Sequence, residues 1–148
     1  MSKVSALFHI VFTTKDRKNT LVNRNVEELY RYLWNRLKYK GCYLYRIGGI
    51  ENHVHLLVDV SPTISLSALV NDLKANSSAW LKASGSFPAF ESWSRGYYAG
   101  SISFKDRDSV IEYIKSQRIH HLGQSCEVEL ESLCGAIGMK MFESGELG

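Results

Sequence analysis

Apolar residues recur at every second position, then at every third or fourth, and the order in which these two periods alternate restricts the fold more than any other feature. Residues 6–14 are rich in β-branched and aromatic side chains and read as a strand, ended by the polar run Lys15-Asp16-Arg17-Lys18-Asn19. From Asn23 the step lengthens. Val26, Leu29, Tyr30, Leu33 and Leu37 form one helical stripe; Glu27 and Glu28 suit its positive first turn, Lys38 and Lys40 its last, and Gly41 its stop. Residues 42–50 and 54–60 are two more strands, joined as a hairpin through Gly48-Gly49-Ile50-Glu51-Asn52, with Pro62 closing the second. Ser65 caps a second helix reaching about Lys82, with Leu66, Leu69, Val70, Leu73 and Trp80 facing a core. Residues 84–96 read as a loop anchored by Phe87, Phe90 and Trp93, and residues 97–104 as a fourth strand. A third helix starts at Asp106 or at Ser109, where Ser109 and Glu112 have the spacing of a capping box. The acidic stretch that follows predicts a tail helix ending near Leu133.

The first six elements, β-α-β-β-α-β, match a ferredoxin-like (RRM-like) α+β frame: an antiparallel sheet with its two helices on one face. A helix follows the last strand. The chain of 148 residues can bury a single core, and we expect one domain over residues 1–134, with a tail at 135–148 to which no role is assigned. The apolar run near the N-terminus is too short to span a bilayer and has no small-residue cleavage site, so the expectation is a cytoplasmic protein without membrane contact. Cys42, Cys126 and Cys134 are odd in number and far apart, which fits neither a disulfide framework nor a zinc knuckle. Net charge is only +3, but it is unevenly spread. Residues 1–118 hold 17 Lys and Arg against 10 Asp and Glu, and the remaining stretch is acidic. The basic part permits a phosphate-bearing partner without requiring one.

This frame serves many functions, so the chemistry has to come from particular residues. His53 and His55 open the third strand. Alternation puts both on one face with Leu57, while Val54, Leu56 and Val58 face the other way, and two imidazoles about 7 Å apart at Cα can converge on one metal ion. Tyr113 and Gln117 lie on the third helix, where an i, i+4 spacing brings phenol and carboxamide to one face. If that helix packs near the histidines, Gln117 can offer its carbonyl oxygen as a third ligand and Tyr113 faces whatever the ion holds. A metal that polarises a phosphodiester beside an in-line tyrosine nucleophile is a sensible set for phosphoryl transfer.

Order and spacing also resemble a known family, the single-tyrosine HUH transposases of bacterial insertion sequences, with their relatives associated with repeated palindromes. The likeness covers residues 6–134. It includes Phe8-His9-Ile10-Val11-Phe12-Thr13-Thr14-Lys15, Glu51-Asn52-His53-Val54-His55-Leu56-Leu57-Val58, Leu73-Lys74-x-x-Ser77-Ser78, Phe90-x-x-Trp93-x-x-Gly96-Tyr97 and Tyr113-Ile114-x-x-Gln117-x-x-x-His121. The resemblance implies that His53, His55 and Gln117 are metal ligands and that Tyr113 is the nucleophile, which becomes linked to a DNA 5′ phosphate. It further implies single-stranded DNA with hairpins at element ends as substrate, Mg²⁺ or Mn²⁺ as cofactor, and a homodimer in which the tyrosine helix of one subunit completes the site of the other.

Three other readings are kept. One is a domesticated relative acting on repeated palindromes, which would carry the same active site. Another is a non-catalytic module binding single strands through sheet aromatics, which needs no convergence of the four residues. The last is a zinc hydrolase on His53 and His55, with Glu51 as its acid/base group. Of the eight tyrosines, Tyr30 belongs to the first helix stripe, Tyr32 and Tyr39 to its edges, and Tyr43 and Tyr45 to a strand. Tyr97 and Tyr98 are expected in the core, and His9, His120 and His121 are secondary candidates.

Overall fold

The computed structural model describes residues 2–120 and 125–136. Four strands, β1 (Leu7–Thr13), β2 (Tyr43–Ile50), β3 (His53–Asp59) and β4 (Tyr98–Ser101), form one antiparallel sheet in the order β2-β3-β1-β4. Helices α1 (Val26–Tyr39) and α2 (Leu66–Ser84) pack on one face of it. This is the ferredoxin-like α+β arrangement that the order of periods implies. After β4 come a one-turn 3-10 helix, then α3 (Arg107–Lys115), α4 (Gln117–His120) and α5 (Cys126–Ala136).

The core lies between the sheet and α1 and α2. Ile10 and Phe12 of β1 and Val54, Leu56 and Val58 of β3 meet Leu29, Leu33 and Leu37 of α1 and Leu69, Val70 and Leu73 of α2. The 84–96 loop closes one end with its aromatic anchors. Trp93 meets the Phe12 ring edge-on at 4.7 Å between centroids, and its indole N–H donates to Ser77 Oγ at 2.9 Å, so the buried nitrogen is satisfied. Ser65 caps α2 by accepting from the Ala68 amide, and Gly85 ends it in the left-handed conformation at φ 76°. Trp80 is only partly buried and stacks on Tyr32.

Several boundaries differ from the sequence reading. The hairpin turn is just Glu51 and Asn52, because Gly48 and Gly49 are paired within β2, opposite His55 and Val54. β4 is shorter than expected, four residues. Asp106 precedes α3, and Ser109 lies inside the helix, so the anticipated capping box at Ser109 and Glu112 is not the helix start. The tail helix is present as α5. His121 and residues 137–148 lie outside the described residues, as do the side chains of His120, Cys126 and Cys134. Among the described residues no helix is long and apolar enough to cross a membrane.

The opposite face of the sheet carries His9, Val11, His53, His55 and Tyr98, and it is covered by the helices that follow β4. Val11 and Tyr98 pack with Leu130 of α5. α3 lies directly on β2, and Gly48 makes this approach possible. A Cβ at residue 48 would sit 2.7 Å from the Ile114 carbonyl oxygen, well inside contact distance. Gly48→Ala should therefore lift α3, with the overpacking costing about 1–3 kcal/mol in urea unfolding. Amide exchange in α3 should rise more than in α1. An alanine variant as stable as wild type, with unchanged exchange, would mean that α3 does not rest on β2 as described.

Candidate active site

His53 and His55 stand opposite Thr13 and Val11 across the β1–β3 ladder, turned away from the core, and both are fully buried beneath the later helices. α3 ends at Lys115. Ser116 leaves helical geometry (φ −96°, ψ 17°) while its hydroxyl bonds back to the Glu112 carbonyl at 2.9 Å, and Gln117 begins α4. Tyr113 and Gln117 thus do not share one unbroken helix, contrary to the sequence expectation. They remain neighbours: the Gln117 amide N–H donates to the Tyr113 carbonyl at 3.3 Å, which turns Gln117 Oε1 toward His53 Nε2 at 3.1 Å. The Tyr113 ring lies 5.7 Å from that of His55. All four residues singled out from the sequence come together, within one chain.

Two further residues complete the cluster. Glu129 of α5 is 1% exposed, and its Oε1 lies 3.0 Å from His55 Nε2 and 3.2 Å from His53 Nε2. Its Oε2 accepts a short hydrogen bond from the Tyr113 hydroxyl. Nothing in the sequence marks it out, since it stands among Glu127 and Glu131 in a stretch that reads as an acidic surface helix. The second is His9 of β1, whose Nε2 lies 2.8 Å from His55 Nδ1. Glu51, the acid/base group of the zinc-hydrolase reading, points elsewhere and pairs with Arg118 at 2.9 Å.

Hydrogen bonding decides which nitrogen each histidine presents. Asn52 donates its amide to the Arg17 carbonyl and so turns Oδ1 to His53 Nδ1 at 2.7 Å, which places the proton of that ring on Nδ1. His9 Nε2 can accept from His55 Nδ1 in the same way. For neutral rings, both Nε2 lone pairs then converge with Gln117 Oε1 and the Glu129 carboxylate. The Tyr113 hydroxyl donates to the far carboxylate oxygen, and a cation among the remaining acceptor atoms, either a proton on the imidazoles or a metal ion, satisfies them together. One atom each from His53, His55 and Glu129 lies within 4.8 Å of the others, so this buried group could hold a metal. The residues fit such an ion, and among the described residues no thiolate belongs to the group.

The charges answer to the same arrangement. Burial alone would raise the Glu129 carboxyl, but hydrogen bonds from His53 and His55, with the charge of His55, hold it far below the usual carboxylate range. His9 is lowered to about 3 by burial first and then by His55, against the opposing pull of Glu129.

The family described as IS200-like transposases matches residues 2–117, most of the chain. The chain belongs to this family. The transposase for insertion sequence element IS200 of Salmonella typhimurium strain LT2 is 27% identical over 115 residues, covering 74% of this chain and 75% of that protein. The IS200 transposase of Salmonella typhi matches to the same extent. Among solved structures, a REP-associated tyrosine transposase bound to a REP hairpin has a TM-score of 0.61 at 13% identity, covering 100% of this chain and 94% of that one. A crystal structure of a protein from Deinococcus radiodurans R1, described as a candidate transposase, also has a TM-score of 0.61, at 22% identity, covering 79% of this chain and 95% of that one. At these identities the two structures speak for the fold.

A pH dependence of stability follows for this IS200-like chain. His9 is held neutral in the fold, whereas in the unfolded chain it takes up a proton from about its ordinary 6.5 downward. Stability is therefore lost as pH falls from there toward 3. Glu129 acts in the same sense, but only from the ordinary carboxyl value of 4.5 downward. The urea midpoint should fall between about pH 6.5 and 4.5, and His9→Gln, which cannot take the proton, should flatten the profile over that interval. Parallel profiles for the two proteins would rule out this role of His9.

Proposed function

We propose that this chain is an insertion-sequence transposase that cleaves and rejoins single-stranded DNA through a 5′-phosphotyrosine intermediate, with Tyr113 as nucleophile. The observation that carries the reading is the convergence of Tyr113 and Gln117, from the helices after β4, on His53 and His55 of β3. A module that only binds strands by stacking has no use for four converging groups, three of them fully buried, and the zinc hydrolase loses its acid/base group to an ion pair with Arg118.

His53, His55 and Gln117 are the residues that would hold the ion, and Glu129 lies within reach of the same position. Mg²⁺ or Mn²⁺ suits two imidazoles with oxygen donors, and such an ion supplies charge stabilisation and orientation to a phosphodiester. The Tyr113 phenol gives up its proton as its oxygen attacks the phosphorus, the P–O3′ bond breaks, and the departing 3′ oxygen takes up a proton, so the proton count is unchanged. The phosphotyrosine ester conserves the energy of the broken linkage, so a later 3′-OH can reverse the step without a nucleotide cofactor. Because α5 covers the cluster, the scissile phosphate reaches Tyr113 by taking the place that the Glu129 carboxylate holds. The hairpin bound by the REP-associated relative supports hairpin-bearing DNA ends as the substrate here, and a DNA substrate is in keeping with a cytoplasmic enzyme.

Tyr113→Phe removes one oxygen and little volume, so folding should survive while adduct formation is lost. With DNA labelled on the 3′ side of the cut, wild type should carry label on a denaturing gel, and peptide mapping should place it on Tyr113. His53→Ala, His55→Ala or EDTA should abolish it. An adduct on Tyr97 or Tyr98, or one that survives exhaustive EDTA, would overturn the mechanism.

The proposal extends to a symmetric homodimer with sites completed in trans. The described chain docks α3 on its own sheet, and the short connection between β4 and α3 would let the same docking occur on a partner. A His55→Ala subunit paired with a Tyr113→Phe subunit should then recover about one working site per dimer. Verified heterodimers with no recovery would show that each chain serves itself.

A further inference from the structure

Beside the buried cluster, a groove of about 670 Å³ runs between α1 and β2 and is closed at one end by α3 and α4. Gln117 lines it and also touches His53, so the groove leads to the flank of the candidate active site. Exposed Arg31 of α1, Arg46 of β2 and Lys115 of α3 project along it. Arg31 and Arg46 make no ion pair among the described residues, and Lys115 has only a loose contact with Glu112 at 3.5 Å. Arg118 in its lining is already paired with Glu51, and Glu27 is the acidic group on its wall. Trp34 and Tyr43, which also line it, are 45% and 64% exposed even with Lys38 Nζ 3.6 Å from the centre of the Trp34 ring and Tyr45 edge-on to Tyr43. β2 is an edge strand, so this side of the sheet has no further strand against it.

We infer that this groove binds the unpaired nucleotides flanking the scissile phosphate. The inference rests on the proposed DNA chemistry and says where the strand lies. A row of unneutralised guanidinium groups matches a phosphate backbone, and exposed aromatic faces match bases that are not already stacked in a duplex. Gln117 is common to the groove and the cluster, so a backbone that follows Arg46 and Lys115 lies on the flank of the site that holds His53. Folded duplex would offer phosphates to the arginines but no base faces to Trp34 and Tyr43, so the groove favours single strands.

The test separates binding from chemistry by using the full chain as Tyr113→Phe in EDTA, with a fluorescently labelled thymidine oligonucleotide read by anisotropy. Arg31→Ala with Arg46→Ala should weaken binding roughly ten-fold or more and reduce the salt slope by about 1.4, the share of two phosphate contacts on a single strand. Trp34→Ala should weaken it by roughly five-fold or more, from lost stacking, without changing the slope. Arg46→Lys should restore most of the affinity lost by Arg46→Ala, and Lys82→Ala, on α2, should leave it within about two-fold. An unchanged affinity and salt slope in the double arginine variant would overturn the inference, whether or not wild type forms a tyrosine adduct. So would a shift from dimer to monomer in sedimentation with affinity per site retained, since the groove would then be an interface between copies of the chain.

Discussion

Everything in this molecule is hung on the antiparallel pairing of β1 with β3. In that register Ile10 faces Leu56 and Phe12 faces Val54, while Val11 faces His55 and Thr13 faces His53. One ladder therefore sends aliphatic side chains to α1 and α2 and imidazoles to the other side. A slip of one residue would put the two histidines into the core and the apolar set beneath the later helices, which the period of a strand does not tolerate. The same ladder brings His9 of β1 beside His55 of β3, so the polar face is assembled by the pairing that assembles the core.

A buried polar cluster has to be satisfied from within. Asn52 and His9 do this for the inner nitrogens of the two histidines and so turn the outer ones toward Gln117 and Glu129. The strand supplies ligand spacing, the turn residue and the neighbouring strand supply ring orientation, and α5 supplies the counter-charge. Such outer hydrogen bonds are often as necessary to a metal site as its ligands. Gly48 contributes by what it lacks, because the missing side chain lets α3 lie on the sheet and bring Tyr113 within reach.

Much was legible in the residue pattern. The alternation of periods determines the order of elements and the α+β class, since an apolar stripe of period 3.6 and one of period 2 cannot exchange places. The polarity of His53, His55 and Leu57 against Val54, Leu56 and Val58 assigns faces before any partner is known. Tyr113 and Gln117 are close in space because they are close in sequence, and this holds even though Ser116 interrupts the helix between them. Boundaries were less legible: the glycines expected in the hairpin turn are paired in β2, and α3 starts ahead of Ser109. Hydrogen bonding in the ladder and at Asp106 decides those points, and residue type alone does not record it.

By itself, the sequence determines what is local: which stretches are strands and helices, which residues share a face, and which side chains carry metal-ligating or nucleophilic chemistry. Only the tertiary structure decides what depends on distant segments meeting. Glu129 looks like one acid among several until α5 folds over β3, and His9 looks like a stray strand histidine until β1 lies beside His55. The groove along β2 exists only because α1, the edge strand and α4 converge. The physical reason is range: periodicity and propensity act over a few residues, whereas the Glu129 carboxylate and the His55 ring are set by atoms that the chain brings together from 46 to 76 positions apart.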